Sequence, residues 1–219
     1  MSGPMKLQFS HQDHQHQAVQ AVVQVFDGQP MAKSEFSLVG TAASVHYAHD
    51  GSIGNALVLS DAQLLENVRA VQQAQEMAPS DALIASVSDA PAPPGAGPTV
   101  FCPLNFSIEM ETGTGKTYAF IKTMYELNRV YGFKKFVVVV PSVAIREGTM
   151  KNLAITRSHF AADYAQVPCV HILYDSSKLT ELRHFAQSDA LSVLVINIDS
   201  FTKDSNKIKQ GRAGVCAAN

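Results

Sequence analysis

The stretch SIEMETGTGKTYAF, residues 107–120, decides the reading of this chain. A loop that wraps a polyphosphate must bring several backbone N–H groups close to one anion. Gly113 and Gly115 let the chain bend there with no Cβ in the way, and Thr112 and Thr114 complete the turn. Lys116 is placed to reach the outer phosphates, and the hydroxyl of Thr117 directly after it to ligate the magnesium that travels with a nucleotide. Ala119, Phe120, Thr123 (through its methyl), Met124, Leu127 and Val130 recur at helical spacing, which predicts a helix opening near Gly115 with its N-terminal dipole on the anion. Phe106 and Ile108 alternate as in a short strand before the loop. The first glycine of the strict pattern G-x-x-x-x-G-K-[ST] is replaced by Met110, and the bland alternative is a solvated Gly/Thr turn.

Outward from the loop, the chain of 219 residues has room for one sizeable core or a core with an appendage. Hydrophobic content of 46% and a mean hydropathy of +0.02 describe a globular protein, no run approaches the length of a membrane span, and cytoplasmic localisation is the expectation. Cys102, Cys169 and Cys216 stand too far apart for a C-x-x-C site. His11, His14 and His16 share no single helical face and have no second cluster to complete a metal site. Residues 1–100 carry 3 Lys/Arg against 9 Asp/Glu and residues 101–219 carry 14 against 10, so the part with the phosphate loop is the basic one. That polarity suits nucleic acid and also an ordinary surface.

The pattern divides the chain into five parts. Residues 1–30 hold a helix whose face is Gln15, Ala18, Val19, Val22 and Phe26, closed by Gly28 and Pro30. Residues 31–78 read as an inserted unit: strands SEFSLVG, SVHYAH and NALVLS with a turn at Asp50 and Gly51, then a helix introduced by a Ser60/Gln63 capping box, with Leu64, Leu65, Val68 and Val71 inward. Residues 79–100, with five prolines, read as a linker or mobile loop. Residues 101–210 then alternate helix 116–130, strand 136–140, a helix from Val143, a strand at 170–174, a helix at 178–187 and the strand LSVLVINI at 191–198. Apolar strands without alternation, separated by helices, predict an α/β fold with a parallel sheet flanked by helices. Residues 211–219 are an irregular tail.

METGTGKT, FVVVVPSVAIREG and VLVINIDSF together resemble the first motor domain of superfamily 2 helicases, and more narrowly the Res subunit of type III restriction enzymes; DHQHQAV and LLENVRAVQQAQ fit the same family, over residues 9–208. The resemblance implies a P-loop NTPase (RecA-like) sheet, here incomplete and with an N-terminal α+β insertion, that binds ATP and Mg2+. It implies that an upstream glutamine reads the adenine edge, because an amide offers donor and acceptor together. Gln15 best matches that position, with Gln17 second. It also implies DNA-backbone contacts from Ser142, placed as a helix N-cap, and from Arg146. The whole enzyme of this kind is an ATP-dependent DNA translocase and endonuclease acting on double-stranded DNA beside a modification methyltransferase subunit, without a membrane.

Hydrolysis needs an Asp for magnesium and a neighbouring Glu for water. VLVINIDS offers Asp199 followed by Ser200, and in the family this strand precedes the true Asp-Glu motif. The sequence therefore reads as a truncated N-terminal portion that binds nucleotide without turnover of its own. A small-molecule P-loop kinase is the competing enzyme class, although such kinases begin with the loop. A non-catalytic remnant with an open sheet edge and an uncovered apolar face is the other alternative.

Overall fold

The computed structural model describes residues 9–32, 54–83, 86–87, 100–101 and 104–202. In chain order the elements are α1 (Asp13–Gln24), α2 (Asp61–Ala74), β1 (Ser86–Val87), β2 (Val100–Phe101), α3 (Lys116–Tyr131), β3 (Lys135–Val140), α4 (Val143–Asp163), β4 (Cys169–Leu173), α5 (Leu179–Gln187), β5 (Leu191–Asn197) and α6 (Asp199–Thr202). The alternation after α3 delivers the predicted architecture: a small parallel sheet of order β3-β5-β4, flanked by helices. Its centre is β5, whose seven residues are all buried, as an apolar run covered on both faces must be.

Three clusters of side chains hold the described region together, one of them packing Leu182 and Phe185 of α5 on Ile172 of β4 and Leu194 and Ile196 of β5. The largest joins Ile121, Met124 and Tyr125 of α3 to Leu153 and Phe160 of α4 and to Val193 and Val195 of β5. Another seats α1 on α3 through Val19, Val23, Ala119, Leu127 and Tyr131. The Tyr131 hydroxyl donates to the Val23 carbonyl at 3.0 Å. α1 therefore lies against the helix that begins at the phosphate loop, although a hundred residues separate them in sequence. Its inward face includes Val23 beside the expected Val19.

Two expectations need correction. NALVLS forms no strand. Residues 54–60 are held by side-chain amides that imitate a ladder: Asn55 Oδ1 accepts from the N–H groups of Lys134 and Lys135 while its Nδ2 donates to the Lys135 carbonyl. Gln29 does the same for Ala56 and Val58. The strand expected at Phe106 and Ile108 is also absent. The backbone of 104–111 joins no ladder among the described residues, and those two side chains are 40% and 53% exposed. Alternation over two residues does not make a strand without a partner edge. Within the expected linker, β1 and β2 pair antiparallel, and Ser80 and Asp81 are tied to α2 by Arg69. The SEFSLVG and SVHYAH strands and the turn at Asp50 and Gly51 before NALVLS lie outside the described residues, as does the tail.

β3 borders β5 on one side and carries Val137 and Val139 about half exposed, an apolar face left open among the described residues. The α2 helix starts at the predicted capping box, with Ser60 accepting from the Gln63 N–H and Gln63 accepting from the Ser60 N–H. No helix of the described residues is long and apolar enough to cross a membrane.

Candidate nucleotide site

The loop is built around two left-handed glycines. Gly113 and Gly115 both have φ of 84°, a region that L side chains enter only with strain. Gly115 is the N-cap of α3 and supplies no side chain to cap it, so the first backbone N–H groups of the helix keep the donors that a side chain would otherwise engage. A Cβ at Gly115 would press into the Gln15 side-chain amide. The loop is braced from inside, where Thr114 Oγ1 donates to the Glu111 carbonyl at 2.6 Å. Lys116 Nζ donates to the carbonyls of Met110 at 2.7 Å and Glu111 at 2.9 Å, which ties the ammonium to the backbone that leads into the turn.

From α1, Gln15 Nε2 donates to the Thr114 carbonyl at 2.8 Å, and His14 Nε2 stands 3.1 Å from the same oxygen. The helix carrying Gln15 is thus pinned to the loop by side chain as well as by core packing. Around this contact lies an open cavity of about 450 Å³ whose walls include Phe9, Gln15, Gly113, Thr114, Gly115 and Tyr118. The structure brings Gln15, Gly113, Thr114 and Gly115 to one cavity, with Thr112 in the turn and Thr117 as the second residue of α3, whereas Lys116 lines a neighbouring cavity with Ala18, Met110 and Thr123. Gln17 is exposed and does not line this cavity.

Ser142 and Arg146 stand elsewhere, at the head of α4 after the C-terminal end of β3. Ser142 is the predicted N-cap and accepts from the Ile145 N–H at 3.3 Å. The Arg146 guanidinium is engaged by its neighbour Glu147 through two bonds of 3.2 and 2.8 Å. At the same end of the sheet, Val140 pairs with Asn197, and Asn197 Oδ1 accepts from the Asp199 N–H. The C-terminal ends of parallel strands are where such folds bind ligands, so the Ser142 turn and Asp199 share that margin. Among the described residues no group of three or more His, Cys, Asp or Glu is arranged to hold a metal ion, and His11 and His16 meet only as tilted rings.

Sequence reasoning passed over Phe9, Tyr118 and His159. The Tyr118 hydroxyl lies 2.8 Å from His159 Nε2, and burial, seconded by Asp163, pushes the Tyr118 phenol above its ordinary range, so it stays protonated. Tyr118 follows the motif directly, a signal that could have been used. His159 is a mid-helix residue with no local mark.

Comparison with known proteins adds the family. The family described as "Type III restriction enzyme, res subunit" matches residues 8–214. The StyLTI Res subunit of Salmonella typhimurium is 36% identical over 111 residues, 49% of this chain and 8% of that protein. The EcoP15I Res subunit of Escherichia coli is 46% identical over 59 residues, 26% of this chain and 6% of that protein. The shared segments thus span under a tenth of the relatives' own length.

Proposed function

Because this chain belongs to the family of type III restriction enzyme Res subunits, within whose helicase-like motor domain it falls, we propose that its 113–117 loop binds the triphosphate of ATP with Mg2+. The observation that carries this reading is the α3 N-terminus: Gly115 leaves its amides without a side-chain cap, and Lys116 stands over the same turn. On binding, the ammonium exchanges the Met110 and Glu111 carbonyls for phosphate oxygens, a stronger charge-assisted partner. Thr117 is the residue that would hold the magnesium, which would supply charge neutralisation to the phosphates when bound. Gln15 spends its Nε2 on Thr114, which assigns its amide oxygen to the exocyclic amine of adenine. The same amide joins base and loop, so adenine recognition and phosphate binding are felt together.

The rest of the reading follows the relatives. They are named as Res subunits of type III restriction-modification enzymes, and the proposal for the whole protein is an ATP-driven motor and endonuclease on double-stranded DNA, working in the cytoplasm with a modification methyltransferase subunit. Within it, the head of α4 with Ser142 and Arg146 meets the DNA backbone, Arg146 giving up Glu147 for phosphate. The region described here is assigned binding and not turnover: the Asp199-Ser200 pair does not supply the Asp and Glu that hydrolysis needs, and in the family this strand precedes the motif that does. We propose the same division of the chain: 1–30 the adenine helix, 31–78 an insertion, 79–100 a linker, 101–210 the phosphate-loop domain and 211–219 a tail. The family match displaces the small-molecule kinase.

Calorimetric titration with ATP, in magnesium and in excess chelator, tests the reading. Saturable heat that depends on magnesium and exceeds that of GTP supports it. A folded chain that takes up neither nucleotide, or both equally, sinks the adenine assignment, and the first of these sinks the loop assignment as well.

A further inference from the structure

The cavity that Lys116 lines is separate from the one that holds Gln15 and the loop glycines, and the two share no lining residue. Its walls come from α1, from the segment before the loop and from α3, and Val22, Ile108, Met110, Ala119 and Phe120 make them apolar. Thr123 adds a hydroxyl that is already spent on the Ala119 carbonyl at 2.9 Å. Among the described residues, Lys116 is the one charged side chain of this lining. Its ammonium holds three protons, and the carbonyls of Met110 and Glu111 take two of them, which leaves one N–H open. At about 360 Å³ the cavity lies at the lower end of the range, about 300–1,000 Å³, in which proteins hold small molecules. Ile108, 53% exposed, stands at its rim.

Resting on the nucleotide reading above, we infer that this cavity takes a small amphipathic monoanion, an apolar body carrying one carboxylate or sulfonate, and that its occupancy opposes ATP. The head pairs with Lys116 and the body lies against Met110, Ala119 and Phe120. A wholly apolar guest would leave the open N–H of the ammonium without a partner, and a wholly polar anion would give up its water for apolar walls. A molecule with both parts matches the walls and their single cation. Such an anion competes with the triphosphate for Lys116 and not for space, since Gln15 and the loop glycines line the other cavity. The anion therefore weakens Mg-ATP, and Mg-ATP weakens the anion by the same factor, because linkage is reciprocal.

The test uses the 219-residue chain, with anilinonaphthalene sulfonate as a fluorescent probe and octanoate and octanol as displacing ligands of equal chain length, every variant being checked for cooperative unfolding. The wild type is expected to bind the probe saturably, and octanoate to displace it at roughly tenfold lower concentration than octanol. Lys116→Met keeps an unbranched side chain without the charge and should bring the two displacers within about twofold of each other. Ile108→Gln, at the half-exposed rim, should weaken the probe about five- to tenfold and leave Mg-ATP within about twofold. Saturating octanoate should weaken Mg-ATP about five- to tenfold in the wild type. Octanol as effective as octanoate, an unchanged probe affinity in Ile108→Gln, or an equal loss in Val139→Gln on the open β3 face overturns the inference, as does Mg-ATP binding that ignores octanoate. A folded chain that binds Mg-ATP and no probe overturns this inference alone. One that binds the probe through Lys116 but takes up no Mg-ATP supports the cavity assignment and overturns the nucleotide reading, together with the competition drawn from it.

Discussion

α3 begins directly after the glycine loop and α4 directly after β3 and a short turn, and their N-termini are finished differently. α3 starts from a left-handed Gly115 with no side-chain cap, while α4 starts from an extended Ser142 whose hydroxyl accepts from the Ile145 N–H. The first amides of any helix lack partners within it, and a cap satisfies some of them from the chain's own atoms. At α4 the chain has done this, and its nearest cation, Arg146, is paired with Glu147. At α3 the chain has withheld the cap and has placed Lys116 and the Gln15 amide around the turn. A helix start becomes a site for a compact anion when its own sequence declines to satisfy it.

The largest effect expected from breaking this contrast is at Gly115. Gly115→Ala puts a Cβ on a left-handed residue and into the Gln15 amide, and is predicted to weaken Mg-ATP about a hundredfold, measured by calorimetry, with strain of about 1–3 kcal/mol seen as a lower unfolding midpoint. Gln15→Ala leaves the loop geometry to Thr114 and Glu111 and removes the amide, so ATP should weaken by about tenfold while GTP changes little, closing the gap between the two. Ser142→Ala is the converse change. It should cost about 1 kcal/mol of stability by denaturant titration and leave nucleotide affinity unchanged, because its cap serves only α4.

The smallest effect concerns the sheet away from both helix starts. Burial, with Arg157 adding its charge, holds His171 down to about 4. The unfolded chain takes up that proton near the ordinary histidine value of about 6.5. The associated stability is therefore complete above about pH 6.5 and declines as pH falls toward 4. Allowing for partial exposure, His171→Asn should flatten the pH dependence over that window by about 1 kcal/mol, with ATP affinity at pH 7 unmoved. Equal pH profiles for the two proteins would show that another group governs acid stability.

These contrasts also explain which features could be read ahead of the structure. β3, α4 and β5 are written in contiguous residues: the run KFVVVV, the serine cap after it and the buried LSVLVIN need no distant information. The loop glycines are local too, since their left-handed geometry is a property of two residues. The strand expected at Phe106 and Ile108 failed for the opposite reason, because a ladder depends on a neighbour that local alternation does not reveal. NALVLS was misread in the same way. Its extended course is imposed by Gln29 and Asn55, amides that look like ordinary surface polar residues in the sequence. Gln15 was legible through its family motif, whereas the Phe9, Tyr118 and His159 meeting was not, since α1's approach to α3 and α4's return past the loop are matters of packing.

The most direct test of the central claim, that the uncapped α3 start is a working triphosphate site, is a magnesium titration of a fluorescent ATP analogue into the wild-type chain and into Lys116→Ala. The account predicts saturable binding by the wild type and its loss by about a hundredfold or more in the variant, with matching unfolding curves. Equal binding by the two folded proteins, or none by the folded wild type, would contradict it.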